Sequence, residues 1–125
     1  MHMNINLTMT KLVLSFLLLI NSSIASADLS VFTCEPEWKA LVDTLGGEHV
    51  SSFSATTAYQ DPHHIEARPS LIAKLRQADL LVCTGAELEV AWLPMLQQKS
   101  ANKMIQKNQM GYFMASEQVA LLDVH

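Results

Sequence analysis

The sequence predicts an α/β fold, a parallel four-stranded sheet flanked by helices. Three observations point there. Four short segments read as buried strands: LSVFT at 29–33, VSSFS at 50–54, LLVC at 80–83 and YFMA at 112–115. Stretches with helical apolar spacing lie between them. Alternation of strand and helix implies crossover connections, which leave neighbouring strands parallel and the sheet covered on both faces.

Each element has a local reason. The segment at 80–83 is a continuous apolar run, as expected of a strand covered on both sides. Trp38, Leu41, Val42 and Leu45 recur at helical spacing behind Pro36, a residue suited to a first turn, and Gly46-Gly47 stops that helix. Leu71, Ile72, Leu75 and Ala78 form a second stripe, opened by Pro69-Ser70. Leu88, Ala91, Trp92, Met95 and Leu96 form a third. Pro94 fits that helix only in its first turn, where backbone N–H groups lack helical partners. Residues 97–109 are polar and lysine-bearing and read as a solvated helix end and loop. Trp38 and Trp92, both on apolar stripes, are expected in the core.

Composition excludes several classes. The chain has 125 residues, length for one domain, and half of them are hydrophobic, far too many for disorder. Eight Lys and Arg against 12 Asp and Glu give a net charge of −4, which argues against nucleic acid as a partner. Two Cys are too few for a disulfide-dense scaffold or a zinc ribbon, and no Cys-x-x-Cys is present. No serine-centred nucleophile motif or phosphate-cradling glycine loop appears, so the sequence reads as that of a non-enzyme.

The amino end has its own logic. Residues 12–20 are almost wholly apolar, follow Lys11, and are succeeded by Ala25-Ser26-Ala27. A basic start, a short apolar core and a small-x-small ending form a secretory signal peptide, cleaved after Ala27. A membrane-spanning helix needs about 20 apolar residues, twice this run. Residues 1–27 are therefore read as a leader and 28–125 as the mature α/β lobe, secreted to a periplasm. The residue directly after the cleavage position is Asp28 and Cys34 lies too far on, so a soluble rather than a lipid-anchored product is expected. In that oxidising compartment Cys34 and Cys83, at the ends of strands one and three, form either a disulfide or two buried thiols, with a role as metal ligands the weakest reading.

Ligands of open α/β sheets bind outside the carboxyl ends of the strands. Three strand ends are therefore informative: 34–37, 56–70 and 84–87. The second reads Asp61-Pro62-His63-His64-Ile65-Glu66 and runs on to Pro69-Ser70. Imidazole suits zinc and similar ions, and carboxylate extends the range to manganese. Adjacent histidines diverge, so the pair alone reads rather as a polar surface loop. Glu87 and Glu89, and likewise Glu35 and Glu37, read as carboxylates at helix starts, favoured by the helix dipole.

Taken with its surroundings, this segment closely resembles the zinc- and manganese-binding solute-binding proteins of bacterial ABC importers. The resemblance rests on Asp61-Pro62-His63, Glu66, Pro69-Ser70, Ala78-Asp79-Leu80, Gly85, Leu88-Glu89 and Trp92-Leu93, in order and spacing, and runs from about residue 29 to 122. It implies a receptor that captures a divalent metal and delivers it to a membrane permease. It also implies two α/β lobes with the metal between them. The motif's His is His63, the expected ligand for zinc or manganese. His64 falls where the family usually has a non-ligand and ranks well below it. Family members are two to three times longer and supply further ligands beyond this region, so the chain reads as a truncated, incomplete first lobe. Weak or absent metal binding is expected of it alone, because a zinc site needs three or four protein ligands. His125 lacks the motif of the family's second His and reads as coincidental. The alternatives are a small secreted α/β interaction domain and a non-functional fragment from an interrupted reading frame.

Overall fold

The computed structural model describes residues 28–122; the leader reading and His125 lie outside them. Four strands form one sheet: β1 (Leu29–Thr33), β2 (Val50–Ser54), β3 (Leu80–Cys83) and β4 (Tyr112–Met114). Their spatial order is β2-β1-β3-β4 and every pairing is parallel. The three helices are α1 (Pro36–Gly46), α2 (Pro69–Arg76) and α3 (Leu93–Ser100). Each carries a Pro at one of its first two positions, where the missing N–H costs nothing. The expected α/β class and all four strands are present, β4 giving way at Ala115 to a short 3-10 turn.

Register sorts the side chains between two faces. Phe32, Leu81 and Tyr112 stand level on one side, and Phe53 pairs with Phe32 there at 5.6 Å between ring centroids. This face meets α2 and α3, and Leu71, Leu75, Trp92, Leu96 and Ile105 complete its core. Val31, Thr33 and Val82 point the other way, toward α1, which packs over β1 and β2. There Asp43 of α1 bonds Lys39 and the hydroxyl of Ser52 on β2.

Three expectations change. The third helix starts at Leu93 rather than near Leu88, because residues 85–87 all have positive φ and the chain turns through 86–92. Pro94 accordingly lies in the first turn. The stretch 97–109 is less solvated than its polarity suggests. Ile105 is fully buried, and the amide of Asn102 donates to the carbonyls of Leu75 (3.0 Å) and Ala78 (2.7 Å), satisfying the end of α2. Trp38 is only half-buried, whereas Trp92 is in the core as expected. No described helix is long and apolar enough to cross a membrane.

Candidate functional site at the carboxyl edge

Strands β1 and β3 are neighbours whose following helices lie on opposite faces of the sheet. The crevice between their carboxyl ends is thus a topological switch point, the usual ligand position in such sheets. The loop after β2 lies at the same edge. Asp61 to His64 form a tight turn in which the His64 N–H donates to the Asp61 carbonyl at 3.1 Å. Pro62 supplies the fixed φ that a second turn position favours.

One carboxylate organises both histidines. Asp61 Oδ1 accepts the backbone N–H of His63 at 3.0 Å and lies 2.8 Å from His63 Nδ1, while Oδ2 lies 2.9 Å from His64 Nδ1. The His63 N–H and the two imidazoles hold the Asp61 carboxyl well below the usual carboxylate range. An ionised Asp61 fixes Nδ1 as the protonated nitrogen of each ring and leaves Nε2 as the free lone pair. That is how a second carboxylate prepares an imidazole for a metal. Both rings are solvent-accessible, with side-chain exposures of 58% for His63 and 82% for His64. Glu66 is exposed and separate from this carboxylate–imidazole group.

The loop is pinned from β3's side of the crevice. The indole Nε1 of Trp92 donates to the Pro62 carbonyl at 2.7 Å, so the aromatic of the Trp92-Leu93 motif both fills the core and sets the height of the Asp61 turn. Ile65 and Ala67 add apolar contacts with the same core.

The crevice itself holds groups that the sequence had placed elsewhere. Cys34 and Cys83 are joined as a disulfide across β1 and β3, with Cα atoms 4.9 Å apart. Of the readings open for this pair, the disulfide is the one the fold adopts. Glu89 is buried and serves no helix start. Its carboxylate accepts the N–H groups of Thr84 (2.9 Å) and Gly85 (3.0 Å). Gly85 turns at φ 78°, and a Cβ there would strike the Ser116 hydroxyl. Glu35, at the start of α1, does not cap it. Its Oε2 accepts the Thr84 hydroxyl at 3.0 Å and the Thr84 N–H at 3.3 Å, and its Oε1 is buried without a partner. Burial and the neighbouring Glu89 push the Glu35 carboxyl up to about 8. Trp38 Nε1 completes the group by donating to Thr84 Oγ1 at 2.8 Å. Local sequence does not signal the contacts of Glu35, Trp38 and the two Cys, because they join residues 46 to 49 positions apart. Glu37 stays exposed in the first turn of α1, as expected.

A parallel doubly wound sheet with a carboxylate-oriented imidazole pair at its carboxyl edge defines the class, an α/β domain with metal-type donors at its strand ends. The chain belongs to the family of periplasmic zinc-uptake complex component A, whose model matches residues 31–123. It is 33% identical over 105 residues to the metal ABC transporter substrate-binding lipoprotein FimA of Streptococcus parasanguinis, covering 82% of this chain. It is 34% identical over 105 residues to the manganese ABC transporter substrate-binding lipoprotein PsaA of Streptococcus pneumoniae, covering 81%. The chain spans about a third of the length of each, 33% in both cases. The solved structure of ZnuA shares the fold at a TM-score of 0.55 and 24% identity, over 66% of this chain and 34% of that one.

Proposed function

We propose that this chain forms part of the first lobe of a periplasmic receptor that captures a divalent metal, zinc or manganese, for an ABC importer permease. The observation that carries the proposal is the Asp61 carboxylate bridging the Nδ1 atoms of His63 and His64, which leaves Nε2 of each ring free at the carboxyl edge. Family membership supports metal as the cargo. His63 is the ligand, by its place directly after Asp61-Pro62. His64, the more exposed ring, contributes weakly.

The role is binding and delivery, without chemistry on the cargo. Among the described residues no third His, Cys, Asp or Glu donor joins the two rings in a metal-sized group. Three or four protein ligands are the rule for zinc, so the remaining donors come from outside this region. The apolar groove along α1 and β4, described below, supports packing against further protein in the working receptor. Export follows from the leader at 1–27, with release as a soluble periplasmic product after Ala27.

Zinc titration of residues 28–125 by calorimetry tests the reading. We expect binding no tighter than tens of micromolar, on the order of 6 kcal/mol, abolished by His63→Ala and little changed by His64→Ala. Submicromolar one-to-one binding would overturn the incompleteness of the site, and binding indifferent to His63 would overturn its role. Amino-terminal sequencing of the exported protein tests the leader, with Asp28 expected first.

A further inference from the structure

The disulfide sits in the crevice where a sheet of this topology normally binds its ligand. Around it lie the sulfurs of Cys34 and Cys83 and a carboxylate oxygen of Glu89, all within 4.8 Å of one another and all from buried residues. Among the described residues no other three His, Cys, Asp or Glu residues bring one donor atom each within that distance of one another. Ligand atoms around a tetrahedral zinc are separated by about 3.3–3.8 Å. The three donors therefore need only rotate about their side-chain bonds, on backbones already 4.9 Å apart at the two Cys.

Glu89 is oriented for such a role by others. The N–H groups of Thr84 and Gly85 fix its carboxylate, both donating to Oε1 and Gly85 also to Oε2, and leave a lone pair free on Oε2. Glu35, next in chain to Cys34 and sharing the Thr84 N–H with Glu89, brings a second carboxyl to the crevice with its Oε1 unpartnered. A cleft of about 320 Å³ lined by Glu35, Thr56, Thr57 and Gln60 adjoins this residue.

We propose that the crevice is a second, redox-gated metal site, closed while Cys34 and Cys83 are bonded and taking a thiophilic divalent ion such as zinc once they are reduced. The reductant is a dithiol. It gives two electrons and two protons to the protein disulfide, the Cys34–Cys83 bond breaks to two thiols, and the reductant closes to its own disulfide. The metal then displaces both thiol protons and forms two metal–sulfur bonds and one bond to Glu89, with water as the fourth ligand. The site shares no ligand with His63, so it stands or falls separately from the function proposed above.

Cobalt(II) and zinc added to the dithiol-reduced chain, with the oxidised chain as control, test this. We expect one equivalent bound only after reduction, with a thiolate-to-cobalt charge-transfer absorption that zinc bleaches. Cys34→Ser and Cys83→Ser should each abolish the absorption, Glu89→Gln should weaken binding at least tenfold, and His63→Ala should leave both unchanged. Absence of the absorption in the reduced chain, or its survival in either Cys variant, overturns the site. Should reduction unfold the chain, zinc must restore its circular dichroism, because a ligand held only by the folded state stabilises that state. Failure to restore it also overturns the proposal.

Discussion

The two faces of the sheet are built from similar helical stripes and end in different states. Toward α2 and α3, Phe32, Leu71, Leu75, Leu81, Leu96 and Ile105 are all almost fully buried. Toward α1 the covering stops at β1 and β2. No residue of α1 is buried, Leu45 is 78% exposed, and Met110 near β4 is 98% exposed. Between α1 and β4 runs a groove of about 480 Å³ lined by Trp38, Leu41, Val42, Leu80, Phe113 and others. An apolar stripe thus says which way a helix faces, while what lies opposite decides whether burial is realised. Exposed patches of this kind mark surfaces that meet other protein.

The comparison is broken most severely on the closed face. Leu75→Ala should cost about 2–5 kcal/mol in urea unfolding, because the side chain is fully enclosed and the cavity cannot collapse. A loss under about 1 kcal/mol would mean that this face is no better packed than the other.

A smaller effect is expected at the carboxyl edge, where the faces meet. The Glu35 carboxyl is raised from 4.5 to about 8, so the folded state holds a proton there that the unfolded chain has released. Stability from this group is full below about pH 4.5 and is lost as pH rises through about 8. On the order of 2 kcal/mol should disappear between those limits, since the adjoining cleft admits water. Thermal melts across that range should show the fall in wild type and a flatter profile in Glu35→Gln. Parallel profiles would assign the dependence to other groups.

Trp92→Phe keeps the ring in the core and removes only the bond to the Pro62 carbonyl. About 1 kcal/mol should be lost, with faster hydrogen exchange of the His64 amide. Unchanged exchange would show that the Asp61 turn holds itself.

The smallest effect belongs to the open face. Leu45→Ser should change stability in urea unfolding by less than about 0.5 kcal/mol. A loss above about 2 kcal/mol would show that the groove is closed in solution and remove the asymmetry.

The strands were legible because short segments of β-favouring residues bounded by turn residues have few alternatives, and 80–83 is apolar throughout. Prolines at 36 and 69 gave the starts of α1 and α2 for the same local reason. The start of α3 was not legible, since the Leu88–Ala91–Trp92 stripe continues through a turn set by positive φ at 85–87. His63 and His64 were visible as donor types, and family resemblance ranked them. That Asp61 holds both rings, and that Trp92 holds the turn, was not visible.

By itself the sequence determined the elements, the parallel sheet, the family and the loop that carries the imidazoles. These follow from local periodicity, turn chemistry and a motif in consecutive residues. Only the tertiary structure decided that Cys34, Glu35, Cys83 and Glu89 share one crevice, and that α1 leaves half of its face open. Those facts depend on strand order, which brings β1 beside β3 across some 50 residues of chain. No pattern within a single element encodes that neighbourhood, because it arises when crossovers on opposite faces place two strand ends side by side.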